Sequence, residues 1–179
     1  MKFEFLNKQE YPLSYLQENI ELVIYSALCL LIPFFIGNNQ FLIGAIVNAS
    51  LILAALNLRN YKLLPIILLP SIGVFSRNLM FGNFTMFLVY MIPFIWIGNS
   101  ILVFSFKKFS FKKKWFTLIL AAALKTLFLF LSALVLIKLS VLPVIFLTTM
   151  GIMQFYTAIT GGLLALSVHQ VKKVINVKQ

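Results

Sequence analysis

Trp115-Phe116-Thr117-Leu118-Ile119-Leu120-Ala121-Ala122-Ala123-Leu124-Lys125-Thr126-Leu127-Phe128-Leu129-Phe130-Leu131-Ser132-Ala133-Leu134-Val135-Leu136-Ile137-Lys138 is one continuous apolar run with a single lysine at its middle. A helix rises about 1.5 Å per residue, so ~20 apolar residues cross the ~30 Å hydrocarbon core of a bilayer. This run is long enough, and its lysine is too deep to reach the interface easily. An ammonium in hydrocarbon faces a cavity, a partner group or a ligand. Working outward, the nearest carboxylate in sequence is remote. All four acids (Glu4, Glu10, Glu18 and Glu21) precede residue 22, and Asp is absent. Three readings of Lys125 therefore stand open: a glutamate near Glu18 or Glu21 folds back to it, neutral dipoles solvate it, or its counter-ion arrives from outside the chain.

The rest of the chain belongs with this run. Of its 179 residues, 61% are hydrophobic and 11% charged, against about 25% charged in a soluble domain. The apolar runs are continuous, which excludes the alternating ~10-residue segments of a membrane barrel. The polar, mixed-charge first 17 residues do not read as a cleavable leader. A single cysteine, Cys29, excludes an internal disulfide or a thiolate metal cluster and reads as a small apolar helix residue. The net charge of +11 does not signal nucleic acid, because the basic residues flank apolar runs and so concern orientation and anionic lipid heads.

The expected fold is an all-α membrane protein with six transmembrane helices: Ile20–Ile36, Phe41–Asn57, Leu63–Leu79, Met86–Phe106, Trp115–Lys138 and Val144–Val168. Residues 1–19 form a cytoplasmic or interfacial segment, either an amphipathic helix along the membrane or a partly ordered tail. Residues 20–169 form the membrane domain, and residues 170–179 a basic cytoplasmic tail. Span 3 is the weakest, because Pro65 and Pro70 interrupt it and Arg77 follows. Charge decides the count. With six spans and both ends inside, twelve of the 15 Lys and Arg are cytoplasmic, Arg77 and Lys138 are outside, and Lys125 is within the membrane. That split obeys the positive-inside rule, and five spans would not.

Three spans carry one polar residue each on a face of small residues. Asn48 sits with Gly44, Ala45 and Ala55; Lys125 with Ala121, Ala122 and Ser132; Gln154 with Thr157, Ala158, Gly161 and Ala165. Small residues mark helix contacts, so spans 2, 5 and 6 are expected to converge with these groups inward. Asn99 lies at the depth of Lys125 on a bulkier face, which suits an interhelical bond. Gly161-Gly162 reads as close packing, and His169 as an interfacial residue. The loops Gly37-Asn38-Asn39-Gln40, Ser76-Arg77-Asn78 and Gly82-Asn83 are placed to cap an outward pocket. No catalytic group and no metal or cofactor site is expected. Asp-rich metal sites are excluded, a serine hydrolase lacks a base, and buried acids for a proton relay are missing.

The chain resembles the substrate-binding S components of energy-coupling factor (ECF) transporters. The resemblance rests on Val47-Asn48-Ala49, Pro93-Phe94-Ile95-Trp96-Ile97-Gly98-Asn99, Ala123-Leu124-Lys125-Thr126-Leu127-Phe128-Leu129 and Gln154-Phe155-Tyr156-Thr157-Ala158-Ile159-Thr160-Gly161-Gly162, within residues 40–168. It implies a six-helix bundle in the cell membrane with both termini cytoplasmic and an outward pocket built from the later helices. It implies partners as well: a transmembrane coupling protein and two ATPase subunits, whose ATP hydrolysis topples the bundle and releases a vitamin-like small molecule inward. Span 1 departs from the pattern, since only Ala27 matches the paired alanines on which the coupling protein docks. The function expected is thus a non-enzymatic substrate-binding subunit, with Lys125, Gln154, Asn99, Asn48 and Arg77 as substrate-binding residues. The rival is an assembly subunit of another membrane complex, with Lys125 against a carboxylate of a partner helix.

Overall fold

The computed structural model describes residues 4–36, 39–81, 85–109 and 114–177. Gly37-Asn38, Gly82-Asn83 and four of the counted lysines (Lys2, Lys112, Lys113 and Lys178) lie outside the described residues. The described chain is all helix and turn. Its helices are α1 (Tyr15–Phe35), α2 (Gln40–Asn57), α3 (Leu63–Phe81), α4 (Thr85–Phe109), α5 (Lys114–Lys138), α6 (Ile145–Met150) and α7 (Ile152–Val177), with single 3-10 turns at Glu4–Asn7 and Asn60–Lys62. Five segments are long and apolar enough to cross a membrane: α1, α2, α4 from Phe87, α5, and Ile145–Val174, which joins α6 to α7.

Local chemistry explains the boundaries. α1 starts at Tyr15, earlier than the expected Ile20, because Ser14 and Gln17 form a capping box. The Gln17 N–H donates to Ser14 Oγ at 3.3 Å, and the Ser14 N–H donates to Gln17 Oε1 at 3.0 Å. Asn39 caps α2 by accepting from the Leu42 N–H at 3.0 Å. α3 runs unbroken through Pro70. Pro65 falls in its first turn, where a missing N–H is harmless. One turn before Pro70's successor Ser71, the Ile67 carbonyl takes an extra bond from Asn99 Nδ2 at 3.1 Å. Arg77 consequently sits inside α3 rather than in a loop.

α2 is the central helix. Of its apolar window 61% is buried, against 22–39% for the other four. Leu51, Ile52 and Leu56 on α2, Ile66 on α3, and Leu102 and Phe106 on α4 are fully buried. α7 packs along α2, and α5 packs on α7. Close approach is made by glycine. A Cβ at Gly161 would strike the Ala45 carbonyl oxygen and lie 2.8 Å from the Ala49 nitrogen, both backbone atoms of α2. We expect Gly161→Ala to destabilise the protein by about 1–2 kcal/mol, since overpacking of ~1–3 kcal/mol exceeds a helix-propensity gain of ~1 kcal/mol. Gly162→Ala meets only the Leu118 side chain, which can turn aside, and costs less. Thermal unfolding in detergent compares the two; equal losses would mean that the backbone contact does not limit the α2–α7 distance.

One end of the bundle gathers the ionic groups. Glu18 of α1 meets Arg59 and Lys62, which connect α2 to α3; Lys107 ends α4; Lys114 starts α5; Lys172 is near the end of α7. α3 therefore begins at this end, and by Gly73 it has reached Leu30 and Pro33 near the far end of α1. Of the N-terminal segment, residues 15–19 belong to α1, and residues 4–14 hold a single 3-10 turn and irregular chain. Residues 8–11 form a strap across the ionic end. Gln9 Nε2 donates to the Asn57 carbonyl at 2.6 Å, the Glu10 N–H donates to the Leu56 carbonyl at 3.1 Å, and Lys107 Nζ donates to the carbonyls of Lys8 and Leu58.

Candidate functional site

Lys125 stands near the middle of α5, with 2% of its surface exposed. Its Nζ donates to Asn48 Oδ1 of α2 at 2.6 Å and to Asn99 Oδ1 of α4 at 2.9 Å. Both amides are held from behind. Asn48 Nδ2 donates to Thr157 Oγ1 of α7 at 3.2 Å, and Thr157 Oγ1 donates to the Gln154 carbonyl at 3.1 Å. Asn99 Nδ2 donates to the Ile67 carbonyl of α3. The arrangement turns two amide oxygens toward one ammonium and joins five helices in a single network. Within the chain, amide dipoles meet Lys125, and neither Glu18 nor Glu21 folds back to it. Magnitudes allow it: two bonds to a charged group at about 1.5–3 kcal/mol each offset an insertion cost of about 2.5–3.5 kcal/mol.

Glu10, Glu18 and Glu21 are engaged elsewhere. Glu18 Oε2 accepts from Lys62 Nζ and Arg59 Nη2, each at 3.0 Å. Glu21 accepts from Lys172 Nζ at 2.8 Å, Tyr25 Oη at 2.8 Å and Asn57 Nδ2 at 2.7 Å. Glu10 accepts from Lys114 Nζ at 3.0 Å and lies 3.6 Å from His169 Nε2. His169, expected at the interface, is fully buried, with Tyr11 of the strap stacked on its ring at 5.4 Å between centroids.

The Lys125 network is the floor of a cavity of about 360 Å³. Asn48, Asn99, Lys125, Gln154 and Thr157 all line it, under apolar walls that include Ile43, Val74, Ile95 and Met153. Among the described lining residues Lys125 is the one charged side chain. The cavity occupies the half of the bundle away from the ionic end, because its upper walls come from the start of α2 and from α6. α6 is a surprise of the fold. Residues 144–168 were expected as one helix, but the chain bends at Gly151 (φ −97°, ψ −108°), so that Phe146, Thr149 and Met150 line the cavity. Gln40 Nε2 ties α6 to α2 by donating to the Thr149 carbonyl at 3.3 Å.

Four of the five expected site residues thus share one cavity. The fifth, Arg77, is half-buried on α3 and does not line it. Sequence reasoning placed Thr157 on the face of Gln154 without counting it among the site residues, and it missed the pair in which Trp96 Nε1 donates to the cavity-lining Ser71 Oγ at 2.6 Å. Nothing in the pattern around Ser71 marks it.

The strap adds a pH dependence. Burial works to raise the Glu10 pKa, but the contacts with His169 and Lys114 prevail and hold it below the ordinary 4.5. A carboxylate with a depressed folded-state pKa contributes stability that is present above its unfolded value and lost as pH falls through the folded one. Protection of the strap amides from hydrogen exchange should therefore be full at neutral pH and fall below about pH 4.5, the ordinary value. In Glu10→Gln the acid-dependent step should vanish; a step of unchanged size in that variant would assign it to another group.

A helical chain with five segments able to cross a membrane, enclosing a polar-floored cavity between them, is the class that fold and site define together. No protein-family model, curated protein or solved structure matches the chain.

Proposed function

We propose that this protein is a membrane-embedded substrate-capture subunit for ATP-driven uptake of a small molecule, energised by partner subunits and catalysing no reaction itself. The observation that carries the reading is the cavity floor, where Lys125 is bonded by Asn48 and Asn99 at 2.6 and 2.9 Å with no carboxylate beside it. A binding pocket is commonly a largely apolar concavity with few oriented polar groups, and this cavity has that character. The resemblance to ECF S components supports the same reading and supplies its partners, a transmembrane coupling protein and two cytoplasmic ATPases.

In this reading α3 is a sixth span and both termini are cytoplasmic. Support comes from the continuity of α3 through Pro70 and from the gathering of Arg59, Lys62, Lys107, Lys114 and Lys172 at one end, as the positive-inside rule asks of a cytoplasmic face. The cavity then opens outward in the cell membrane. The rival, an assembly subunit pairing Lys125 with a partner's carboxylate, is less well supported, because Lys125 is buried and bonded within its own bundle.

Mass spectrometry of the protein purified gently from its native membrane tests the proposal, provided that co-purified proteins and released small molecules are both kept. A coupling subunit with two ATPases, together with a stoichiometric metabolite, is the expected result. A different membrane partner carrying an intramembrane Asp or Glu, and no small molecule, would replace it with the assembly reading.

A further inference from the structure

We infer that the cavity selects a monoanionic carboxylate with a compact apolar body, and that it rejects cations and dianions. This rests on the reading of the cavity as a substrate site and narrows it to a chemical class.

The floor decides the charge. A lysine ammonium has three N–H donors, and Lys125 uses two of them on Asn48 and Asn99. The third donor and the whole positive charge are left for the content of the cavity. No acidic residue is among the described lining residues, so a cationic ligand would add like charge to a buried ammonium with nothing to offset it. A monoanion instead brings the filled site to neutrality.

Charge also limits the headgroup. One N–H of each asparagine Nδ2 goes to Thr157 or Ile67, and the Thr157 hydroxyl proton goes to the Gln154 carbonyl. Gln154 lines the cavity half-buried, and its side-chain amide makes no hydrogen bond among the described residues. Lys125 and Gln154 together offer one donor to each oxygen of a single carboxylate. A phosphate monoester would bring a second negative charge with no second cation among the described lining residues to meet it.

The walls set the body. A cavity of about 360 Å³ has room for roughly a dozen water-sized groups at ~30 Å³ each. Ile43, Val74, Leu88, Ile95, Phe146 and Met153 line it with hydrocarbon and one thioether. A short chain or single ring fits, and methionine allows some variation in its shape.

The test uses four probes that share one skeleton, namely phenylbutyrate, phenylbutyramide, phenylbutylamine and phenylbutyl phosphate. Binding is measured by equilibrium dialysis on the full chain in phosphatidylcholine nanodiscs, so that the lipid adds no net charge. The acid should bind about tenfold or more tightly than the amide, as one bond to a charged group implies, with the amine and the phosphate weaker still. Lys125→Met should erase the preference for acid over amide. Should that variant fail to fold, Gln154→Leu, at a half-buried site without bonds, should weaken the acid severalfold; an unchanged affinity overturns the two-donor headgroup. Equal binding of acid and amide, tightest binding by the amine or phosphate, or no binding by any probe overturns the inference. The uptake reading fails separately. If the acid prefers the wild-type cavity but no ATPases co-purify, the selectivity stands and the transporter reading falls. If coupling subunits co-purify with a cationic metabolite, the reverse holds.

Discussion

Asn48→Leu should lower stability by about 1.5–3 kcal/mol, the worth of a hydrogen bond to a charged group, and Lys125→Met in the same chain should return most of that loss. The Lys125 ammonium has only amide oxygens around it, Asn48 Oδ1 at 2.6 Å and Asn99 Oδ1 at 2.9 Å. Removing the nearer oxygen leaves a buried charge on one acceptor, and it strips Thr157 Oγ1 of its donor at 3.2 Å. Methionine has nearly the length of lysine and no charge, so the double variant has nothing left to solvate. The two substitutions must then be strongly non-additive, as contacting residues in one network are. Asn99→Leu should behave in the same way, since it removes the other acceptor of Lys125 together with the extra bond to the Ile67 carbonyl. Equilibrium unfolding in one detergent gives all the terms of the cycle. Simple addition of the single losses would mean that Lys125 is not held by these amides, and the account of the cavity floor would fail with it.

The same floor indicates why part of the site was legible in the sequence. Asn48, Lys125 and Gln154 each interrupt a stripe of small residues, and small stripes are where helices meet. The polar groups were therefore bound to face one another once α2, α5 and α7 packed, which they do through contacts such as Gly161 on Ala45. Asn99 came by depth alone, and its dual bond to Lys125 and Ile67 had no signal in its bulky neighbours. Other features were hidden for definite reasons. The bend at Gly151 lies in a stretch as apolar as its surroundings, so hydropathy reads straight through it and misses α6. Arg77 lies between Ser76 and Asn78, a turn-like trio that the helix simply absorbs. His169 is a lone histidine at a span end, and its burial depends on Tyr11, which is distant in sequence. The strap depends on Lys107 donating to the Lys8 carbonyl and on Lys114 pairing with Glu10 across the bundle. Such long-range contacts leave no periodic trace.

Glu18→Ala should be the most damaging single change, at about 3–5 kcal/mol, the usual result of removing one partner from a buried ion pair. Glu18 is 1% exposed and Lys62 is 7% exposed. The carboxylate accepts from Lys62 Nζ at 3.0 Å, from Arg59 Nη2 at 3.0 Å and from the Arg59 backbone N–H at 2.9 Å. Most of the loss belongs to Lys62, because the Arg59 side chain is 41% exposed and water screens what it contributes. Two companions separate the terms. Glu18→Gln retains an acceptor for the Arg59 N–H and should lose less. Adding Lys62→Met to Glu18→Ala removes an ammonium left with Asn19 Oδ1, at 2.7 Å, as its remaining side-chain acceptor among the described residues, and should recover stability, although the Arg59 N–H stays unpaired. The location of the damage is also defined. Only 22% of the apolar window of α1 is buried, so this helix holds to α2 and α3 with little core of its own, and the Glu18 cluster pins the end at which it begins. In Glu18→Ala the amides near Ser14 and Tyr15 should exchange and be cut by protease well before those of α2. Uniform loosening of the whole bundle would instead mean that the cluster supports the α2–α3 connection, through Arg59 and Lys62, more than it anchors α1.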